Sequence, residues 1–274
     1  MRYLIRNKNS GKSRSRIGLI WLNDKPRTGA SIAWMAGVVA ERIIAGMPMF
    51  RHVPRARVAA LARHCAVLRL KRGDAACRRG ETANGLYAVI QGQVKLVLRA
   101  DHAAEKVLRV AGPGETFGEA LVYRPRPNPI DAVALCDALV VAFPASAIHA
   151  LVERDRGFAR RLLASLSDRV HGLLASIEAS ALFSARQRIA SYLIALAESS
   201  RDATRIRLPM TKTLIASQLG ITKETLSRML REFADAGLIS MQQRVVVLRN
   251  PALLAKAARP APARDTRASG SPAA

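Results

Sequence analysis

Residues 211–231, TKTLIASQLGITKETLSRMLR, contain two short amphipathic patterns on either side of a glycine. Their apolar residues recur at helical spacing: Leu214, Ile215 and Leu219 in the first pattern, and Leu226, Leu230 and Phe233 in and after the second. Gly220 stands where the turn between them needs a positive φ. Thr222 can cap the second helix, because its hydroxyl can accept a hydrogen bond from a free backbone N–H. This order predicts a helix-turn-helix.

The second predicted helix has a polar face opposite its apolar stripe. Four of its side chains share that face: Glu224, Ser227, Arg228 and Arg231. Arg228 can bind guanine O6 and N7 in a bidentate pair, Glu224 can accept from cytosine N4, and Ser227 can bond a base or a phosphate. Lys212, Lys223 and Arg231 suit phosphates, which position a protein on DNA, and Thr222 belongs to the same set. The alternative is an ordinary helix hairpin with a solvated polar face.

The chain carries a large positive charge. Its 274 residues include 44 Lys and Arg against 20 Asp and Glu, a formal net charge of +24. Such an excess favours a polyanionic partner, and double-stranded DNA fits the motif above. Part of the excess lies in basic terminal segments, so charge alone does not separate a specific DNA-binding protein from a merely basic chain.

Several classes of protein are disfavoured. The cysteines Cys65, Cys77 and Cys136 lie far apart without a C-x-x-C pair, which argues against a disulfide scaffold or zinc ribbon and fits a reduced cytoplasm. The apolar run at 30–40 is too short for a membrane span. Common nucleophile-elbow, zinc-protease and phosphate-loop motifs are missing. We therefore predict a cytoplasmic protein that is neither an enzyme nor membrane-bound.

Short apolar runs alternate with glycine turns upstream of the helix-turn-helix. The runs are 67–70, 86–90, 94–98, 107–110, 132–135 and 139–143. Many short strands at regular spacing predict an antiparallel roll or barrel. From residue 145 the period becomes helical, and apolar residues then recur at steps of three and four: Leu163, Leu166, Val170, Leu173 and Ile177. This spacing is that of a coiled-coil seam, although a helix packed on its own domain would show it too.

These patterns predict an α+β protein with five segments. They are a basic, disordered tail over 1–45, a β-roll sensor domain over 46–144, a dimerisation helix over 145–180, a winged helix-turn-helix domain over 181–250 and a disordered tail over 251–274. The wing would be a hairpin with Gln242, Gln243 and Arg244 at its tip.

Residues 47–250 resemble the Crp/Fnr superfamily of bacterial transcription regulators. The order of roll, long helix and winged helix-turn-helix is similar, and Glu224, Ser227 and Arg228 match the E-x-x-S-R pattern of the Fnr and Dnr branch. The resemblance implies a jelly-roll sensor domain, similar to cyclic-nucleotide-binding domains, and a homodimer through the long helix. It also implies inverted DNA repeats with half-sites related to TTGAT, and RNA polymerase as a partner if the protein is an activator.

The resemblance also bears on what the sensor binds. In cyclic-nucleotide members, Phe-Gly-Glu is followed by an Arg-Ser pair that holds the cyclic phosphate. This chain keeps Phe117, Gly118 and Glu119, but the Arg-Ser positions fall at Ile130 and Asp131. An apolar residue and a carboxylate cannot grip a phosphate diester. We therefore expect an effector pocket at Gly118, Glu119, Ile130 and Asp131 that binds cyclic nucleotides poorly, with a structural turn as the alternative role of Gly118 and Glu119.

Other effectors are left open by the sequence. An Fe–S cluster needs four thiolates, which three scattered cysteines do not provide. Haem, as in Dnr-like members, has four candidate ligands: His64, Cys65, His102 and His149. A redox pair of Cys65 and Cys77 competes with the simpler interpretation of buried structural cysteines. Two alternatives to an effector-controlled or redox-controlled specific regulator remain, a cyclic-nucleotide-responsive regulator and a nonspecific, nucleoid-type DNA-binding protein.

Overall fold

The computed structural model describes residues 31–33, 37–81, 85–99, 105–123, 126–200 and 202–258. These residues form two compact units. The first contains the described residues up to Lys95 and Ala111–Leu163, and the second contains Leu96–Val110 and the described residues from Ala164 onward. The predicted tail residues 1–30 and 259–274, and the candidate haem ligand His102, lie outside the described residues. No described helix combines the length and apolar content needed to cross a bilayer.

Two antiparallel sheets form the predicted roll. Their strands are β1 (Ser31–Ala33), β2 (Ala66–Leu70), β3 (Ala75–Cys77), β4 (Gly85–Gln91), β5 (Val94–Arg99), β6 (Glu105–Ala111), β7 (Thr116–Phe117), β8 (Asp131–Ala134) and β9 (Ala138–Pro144). The sheet orders are β1-β2-β9-β4-β7 and β3-β8-β5-β6. In the first sheet Val67 lies opposite Val141, and Leu86 lies opposite Phe143. The roll is confirmed, and it gains β1, β3 and β7, which are too short to show a sequence period.

Helices complete the core of the first unit. They are α1 (Gly37–Gly46), a 3-10 turn (Pro48–Phe50), α2 (Arg55–Ala62), α3 (Glu119–Tyr123) and α4 (Ala145–Arg154). Phe50 packs against Phe143 and Phe158 with ring centroids 5.0 Å and 5.4 Å apart. Ile44 of α1 is fully buried in the same cluster. The predicted disordered tail over 1–45 is therefore wrong at 31–33 and 37–45, where backbone pairing and core packing order segments too short for a sustained period.

The predicted single helix from residue 145 is divided into α4 and α5 (Arg156–Leu182). Asp155 separates them with an extended backbone, at φ −138 and ψ 95. Its Oδ1 accepts a hydrogen bond from the Phe158 N–H at 2.8 Å, so the carboxylate caps the start of α5. Its Oδ2 accepts from the Arg57 guanidinium at 2.9 Å. The dimerisation helix predicted over 145–180 thus begins later, because a capping residue that apolar periodicity cannot reveal sets its start.

The second unit contains the winged helix-turn-helix. Its elements after α5 are α6 (Ala185–Glu198), β10 (Arg205–Arg207), α7 (Lys212–Leu219), α8 (Lys223–Asp235), β11 (Ile239–Gln242), β12 (Val245–Leu248) and α9 (Pro251–Ala258). The strands form a sheet in the order β10-β12-β11. Helix α9 packs against α6, and its Leu254 is 0% exposed. The predicted disordered tail from residue 251 is wrong for Pro251–Ala258, because a buried leucine anchors this Ala-rich segment.

Candidate nucleic-acid interface

Helices α7 and α8 meet at the turn that the sequence predicts. Gly220 ends α7 in the left-handed conformation, at φ 66 and ψ 41. The Thr222 hydroxyl accepts a hydrogen bond from the Thr225 N–H at 3.1 Å and caps α8. Thr211 caps α7 in the same way, accepting from the Leu214 N–H at 3.4 Å. The predicted conformational roles of Gly220 and Thr222 are confirmed.

Helix α8 has one buried and one accessible face. Leu226, Leu230 and Phe233 are buried in the core of the second unit, as predicted. Glu224, Arg228 and Arg231 are exposed, and Ser227 is half-buried beside them. One concave surface is lined by all four polar residues together with Thr225. The structure therefore brings the predicted base-reading residues together on one surface.

The predicted phosphate-contacting lysines lie at helix N-termini. Lys212 is the first residue of α7 and is half-buried, while Lys223 is the first residue of α8 and is exposed. A helix N-terminus presents free backbone N–H groups and the positive end of the helix dipole. A lysine placed there adds charge to a site already suited to phosphate.

Two arginines of α6 position the helix-turn-helix, and the sequence analysis did not identify them. The Arg186 guanidinium lies 4.8 Å from the centre of the Phe233 ring and 3.7 Å from the Glu232 carboxylate. Arg188 donates a hydrogen bond to the Leu219 carbonyl at 2.7 Å, at the end of α7. The sequence shows only two arginines in the first turn of an amphipathic helix. Such a pattern does not reveal which residues the arginines contact.

The wing is formed by β11 and β12, which pair antiparallel from Ile239 opposite Leu248 to Gln242 opposite Val245. Gln242 and Val245 therefore belong to the strands, and the tip is narrower than predicted. Gln243 at the tip has a positive φ of 53. Arg244 donates from its guanidinium to the Leu208 carbonyl at 3.2 Å, so at least one of its donors anchors the wing.

The sequence-predicted effector residues lie in the roll of the first unit. Gly118 has a φ of 88, and a Cβ there would lie 2.7 Å from the Gly85 carbonyl oxygen, so only glycine fits this turn. The adjacent Glu119 is buried and accepts a hydrogen bond from the Thr116 hydroxyl at 2.6 Å. These contacts support the structural role that the sequence left open for Gly118 and Glu119.

The two residues at the Arg-Ser positions are placed differently. Asp131 is 7% exposed, and its Oδ1 accepts a hydrogen bond from the Arg79 N–H at 2.7 Å. Ile130, the last residue before β8, is half-buried. A buried carboxylate in this position opposes a phosphate anion, because like charges repel strongly where water is excluded.

The cysteines are free thiols, with Cys65 and Cys77 buried and Cys136 exposed. Burial raises the pKa of Cys65 to about 11 and that of Cys77 to about 12, so both are protonated at neutral pH. Asn128 donates to the Cys77 sulfur at 3.0 Å. Of the candidate haem ligands, His64 is exposed, whereas His149 Nε2 is 2.7 Å from the Val122 carbonyl oxygen. Within the described ranges, no group of three or more His, Cys, Asp or Glu is placed to hold a metal ion.

Two segments of the chain match models of known families. The model of the Crp-like helix-turn-helix domain matches residues 187–257, and the model of the cyclic nucleotide-binding domain matches residues 67–155. The chain belongs to the Crp/Fnr superfamily. This Crp/Fnr protein is accordingly a DNA-binding transcription regulator with a sensor-type roll.

Its relatives are regulators. The chain is 26% identical over 223 residues to the CRP-like cAMP-activated global transcriptional regulator of Mycobacterium tuberculosis, covering 80% of this chain and 100% of that protein. It is 28% identical over 176 residues to the Cyclic AMP receptor protein of Thermus thermophilus, covering 64% and 80%. Among solved structures, FixK2 from Bradyrhizobium japonicum matches with a TM-score of 0.64 at 23% identity, covering 72% of this chain and 99% of that one. This last likeness shows the fold.

The Crp/Fnr regulator also exposes the apolar seam of α5. Leu163 is 66% exposed, Val170 55%, Leu173 49% and Ile177 64%. Leu166, the remaining seam residue, is half-buried. A row of exposed large apolar side chains along one helix face is unusual for a monomer in water.

Proposed function

We propose that this Crp/Fnr regulator binds, as a homodimer, an inverted DNA repeat whose half-sites are related to TTGAT. The observation that carries the proposal is the accessible face of α8, where Glu224, Ser227 and Arg228 stand in the E-x-x-S-R order of the Fnr and Dnr branch. In this assignment Arg228 binds a guanine, Glu224 accepts a hydrogen bond from a cytosine, and Ser227 forms a hydrogen bond with a base or a phosphate. Thr222, Lys212, Lys223 and Arg231 contact the backbone.

The exposed seam of α5 supports the dimer. In a parallel pair of α5 helices each seam residue meets its twin, as in a two-stranded coiled coil. Burial of each large apolar side chain would stabilise the pair by very roughly 1 kcal/mol or more. A two-fold axis along this seam would present two α8 helices to successive major grooves, about 34 Å apart, which explains why the site should be an inverted repeat.

Control by the roll is the second part of the proposal. We infer that an effector or a redox signal acts there, and that RNA polymerase is a partner if the regulator is an activator. A cyclic-nucleotide-responsive regulator is the second candidate, favoured by the match of residues 67–155 to the cyclic nucleotide-binding domain. Ile130 and the buried Asp131 oppose it, because neither can neutralise a cyclic phosphate. Absorption spectroscopy and mass spectrometry of protein purified from its host would identify a bound effector.

The test of the DNA-binding function is selection of sites from a randomised duplex pool, followed by competition. We expect an enriched inverted repeat that stays bound when excess random DNA is added. The reason is that the binding free energy of a specific complex is more favourable than that of a nonspecific one by several kcal/mol. A nucleoid-type protein would enrich no sequence and would be displaced in proportion to competitor. Enrichment of a half-site unrelated to TTGAT would keep the regulator but overturn the assignment to the Fnr and Dnr branch.

A further inference from the structure

Strand β6 contacts the end of α7 within the second unit. The Ser217 hydroxyl donates a hydrogen bond to the Glu105 carbonyl at 2.7 Å and accepts one from the Val107 N–H at 3.0 Å. Among the described strands, β6 lies at the edge of its sheet, and an edge strand has backbone groups available to partners outside the sheet. The Ser217 hydroxyl thus bonds both the Glu105 carbonyl and the Val107 N–H, in the way that a residue of an additional paired strand would.

Lys106, between these two residues, extends the contact to the helix-turn-helix turn. Its Nζ donates to the Gln218 carbonyl at 2.9 Å. It also lies 3.0 Å from where a Cβ on Gly220 would sit. A cation is favoured there because the last carbonyls of a helix carry the negative end of its dipole. Burial and the nearby Arg188 lower the pKa of Lys106.

The contact is not fully satisfied. Within the part of the chain that the structure describes, Gln218 Oε1 and Arg188 Nε are shielded from solvent and have no hydrogen-bond partner. Buried polar atoms without partners destabilise the arrangement that contains them. The contact thus combines three hydrogen bonds with two buried polar atoms that oppose it.

The position of β6 in the chain gives the contact a regulatory meaning. The segment Leu96–Val110 follows Lys95 and precedes Ala111, both of which belong to the first unit. Strands β5 and β6 also belong to the sheet of β3 and β8, so the same strand is part of the roll and of the contact with α7. On the other side, the turn that Lys106 contacts leads directly into Thr222, the cap of the DNA-reading helix α8.

We propose that Glu105–Val107 and Ser217–Gly220 form a latch by which the sensor roll controls the order of the helix-turn-helix turn, and hence operator affinity. This inference rests on the proposed DNA-binding function. In the closed latch the end of α7 is held, and Glu224 and Arg228 are presented by a turn of fixed shape. Opening the latch releases the turn, so binding must then order it and affinity for the operator falls.

The experiment combines hydrogen exchange with operator binding on the full chain. In Ser217→Ala we expect faster exchange of the Val107 amide and of the last turn of α7, and operator binding at least fivefold weaker than in the wild type. Ser217→Thr keeps a hydroxyl and should restore both. Ser199→Ala is the control. The Ser199 hydroxyl donates to the carbonyl of Ala195, within α6 and its C-terminal cap, so its loss should change neither amide exchange nor operator binding. Thermal unfolding of each variant identifies any that fail to fold.

Each other outcome overturns the latch. Unchanged exchange at Val107 would mean that the contact does not exist in solution. Faster exchange with unchanged operator affinity would make it a packing contact without regulatory effect. Tighter operator binding in Ser217→Ala would make it inhibitory, opposite to the proposal. If the wild type itself enriches no DNA sequence, the proposed function fails instead, and the exchange measurement still reports on the contact.

Discussion

The Thr222 hydroxyl accepts a hydrogen bond from the Thr225 N–H at 3.1 Å, which fixes the first turn of the helix that carries Glu224, Ser227 and Arg228. Because the cap occupies one free donor, the remaining N–H groups and the exposed Lys223 are left to face an anion. The relationship places the proposed base-reading and phosphate-contacting side chains in adjacent residues of the same turn. It also makes the two roles separable by substitution.

Arg228→Ala should weaken operator binding and flatten the preference at one symmetric base pair per half-site. A bidentate arginine–guanine contact contributes about 1–3 kcal/mol of discrimination. Lys223→Ala is the matched control, and it should weaken operator and random DNA alike with a shallower salt dependence. Site selection with both variants at two salt concentrations measures the difference. If Arg228→Ala keeps the wild-type preference at every position, Arg228 does not read a base.

Lysine substitution in the α5 seam should give monomers. Leu166→Lys with Leu173→Lys places like charges face to face where the dimer would bury apolar side chains. Ala175→Lys adds the same kind of charge on the opposite face of α5, where the helix is also exposed, and should leave the dimer intact. Analytical ultracentrifugation at micromolar concentration distinguishes the two. A dimeric double variant would place the interface elsewhere.

Cyclic AMP and cyclic GMP should bind poorly. The reason is the pair Ile130 and Asp131, with Asp131 buried and bonded to the Arg79 N–H at 2.7 Å. At these two positions a phosphate diester would meet an apolar side chain and a carboxylate, neither of which supplies a cation. Titration calorimetry measures the affinity directly. A dissociation constant in the low micromolar range or below for either nucleotide would favour the cyclic-nucleotide-responsive regulator.

Asp155→Ala should lower the free energy of unfolding at neutral pH by about 0.5–2 kcal/mol, the range for loss of a helix N-cap. The hydrogen bond from the Phe158 N–H, aided by Arg57, holds the pKa of Asp155 below its usual value. Its contribution is therefore present above the unfolded-state pKa and is lost as the pH falls through the lower folded-state pKa.

Urea unfolding across this acid range should show wild type and Asp155→Ala converging. Asp137→Ala is the control, because Asp137 pairs with Lys71 on the surface, where ion pairs contribute little. A difference between Asp155→Ala and wild type that persists unchanged at the acid end would show that packing, not the carboxylate charge, is responsible.

Leu254→Ala should destabilise the second unit by about 2–5 kcal/mol, because the Leu254 side chain of α9 is fully buried in the core that contains Leu193. Leu253 is 50% exposed on the same helix, and Leu253→Ala should have a much smaller effect. Chemical denaturation of both variants tests this. Equal, small effects would mean that α9 does not contribute to the folded unit in solution.

The sequence by itself determined the elements whose residues interact locally. A glycine with positive φ at 220, a capping threonine at 222 and the stripe of Leu226, Leu230 and Phe233 need only neighbours in the chain, so their spacing predicts them. The same holds for the longer strands of the roll, whose apolar runs are bounded by glycines. The E-x-x-S-R face of α8 follows from that helix period alone.

The tertiary structure decided what depends on distant partners. Helix α9 is ordered because Leu254 finds a core, α5 begins where Asp155 meets Arg57, and α8 is braced by Arg186 over the Phe233 ring. The bonds from Ser217 to Glu105 and Val107 join residues more than a hundred positions apart in sequence. Such contacts have no period and no local signature. Their free energy arises only when folding removes both partners from water and brings them within bonding distance.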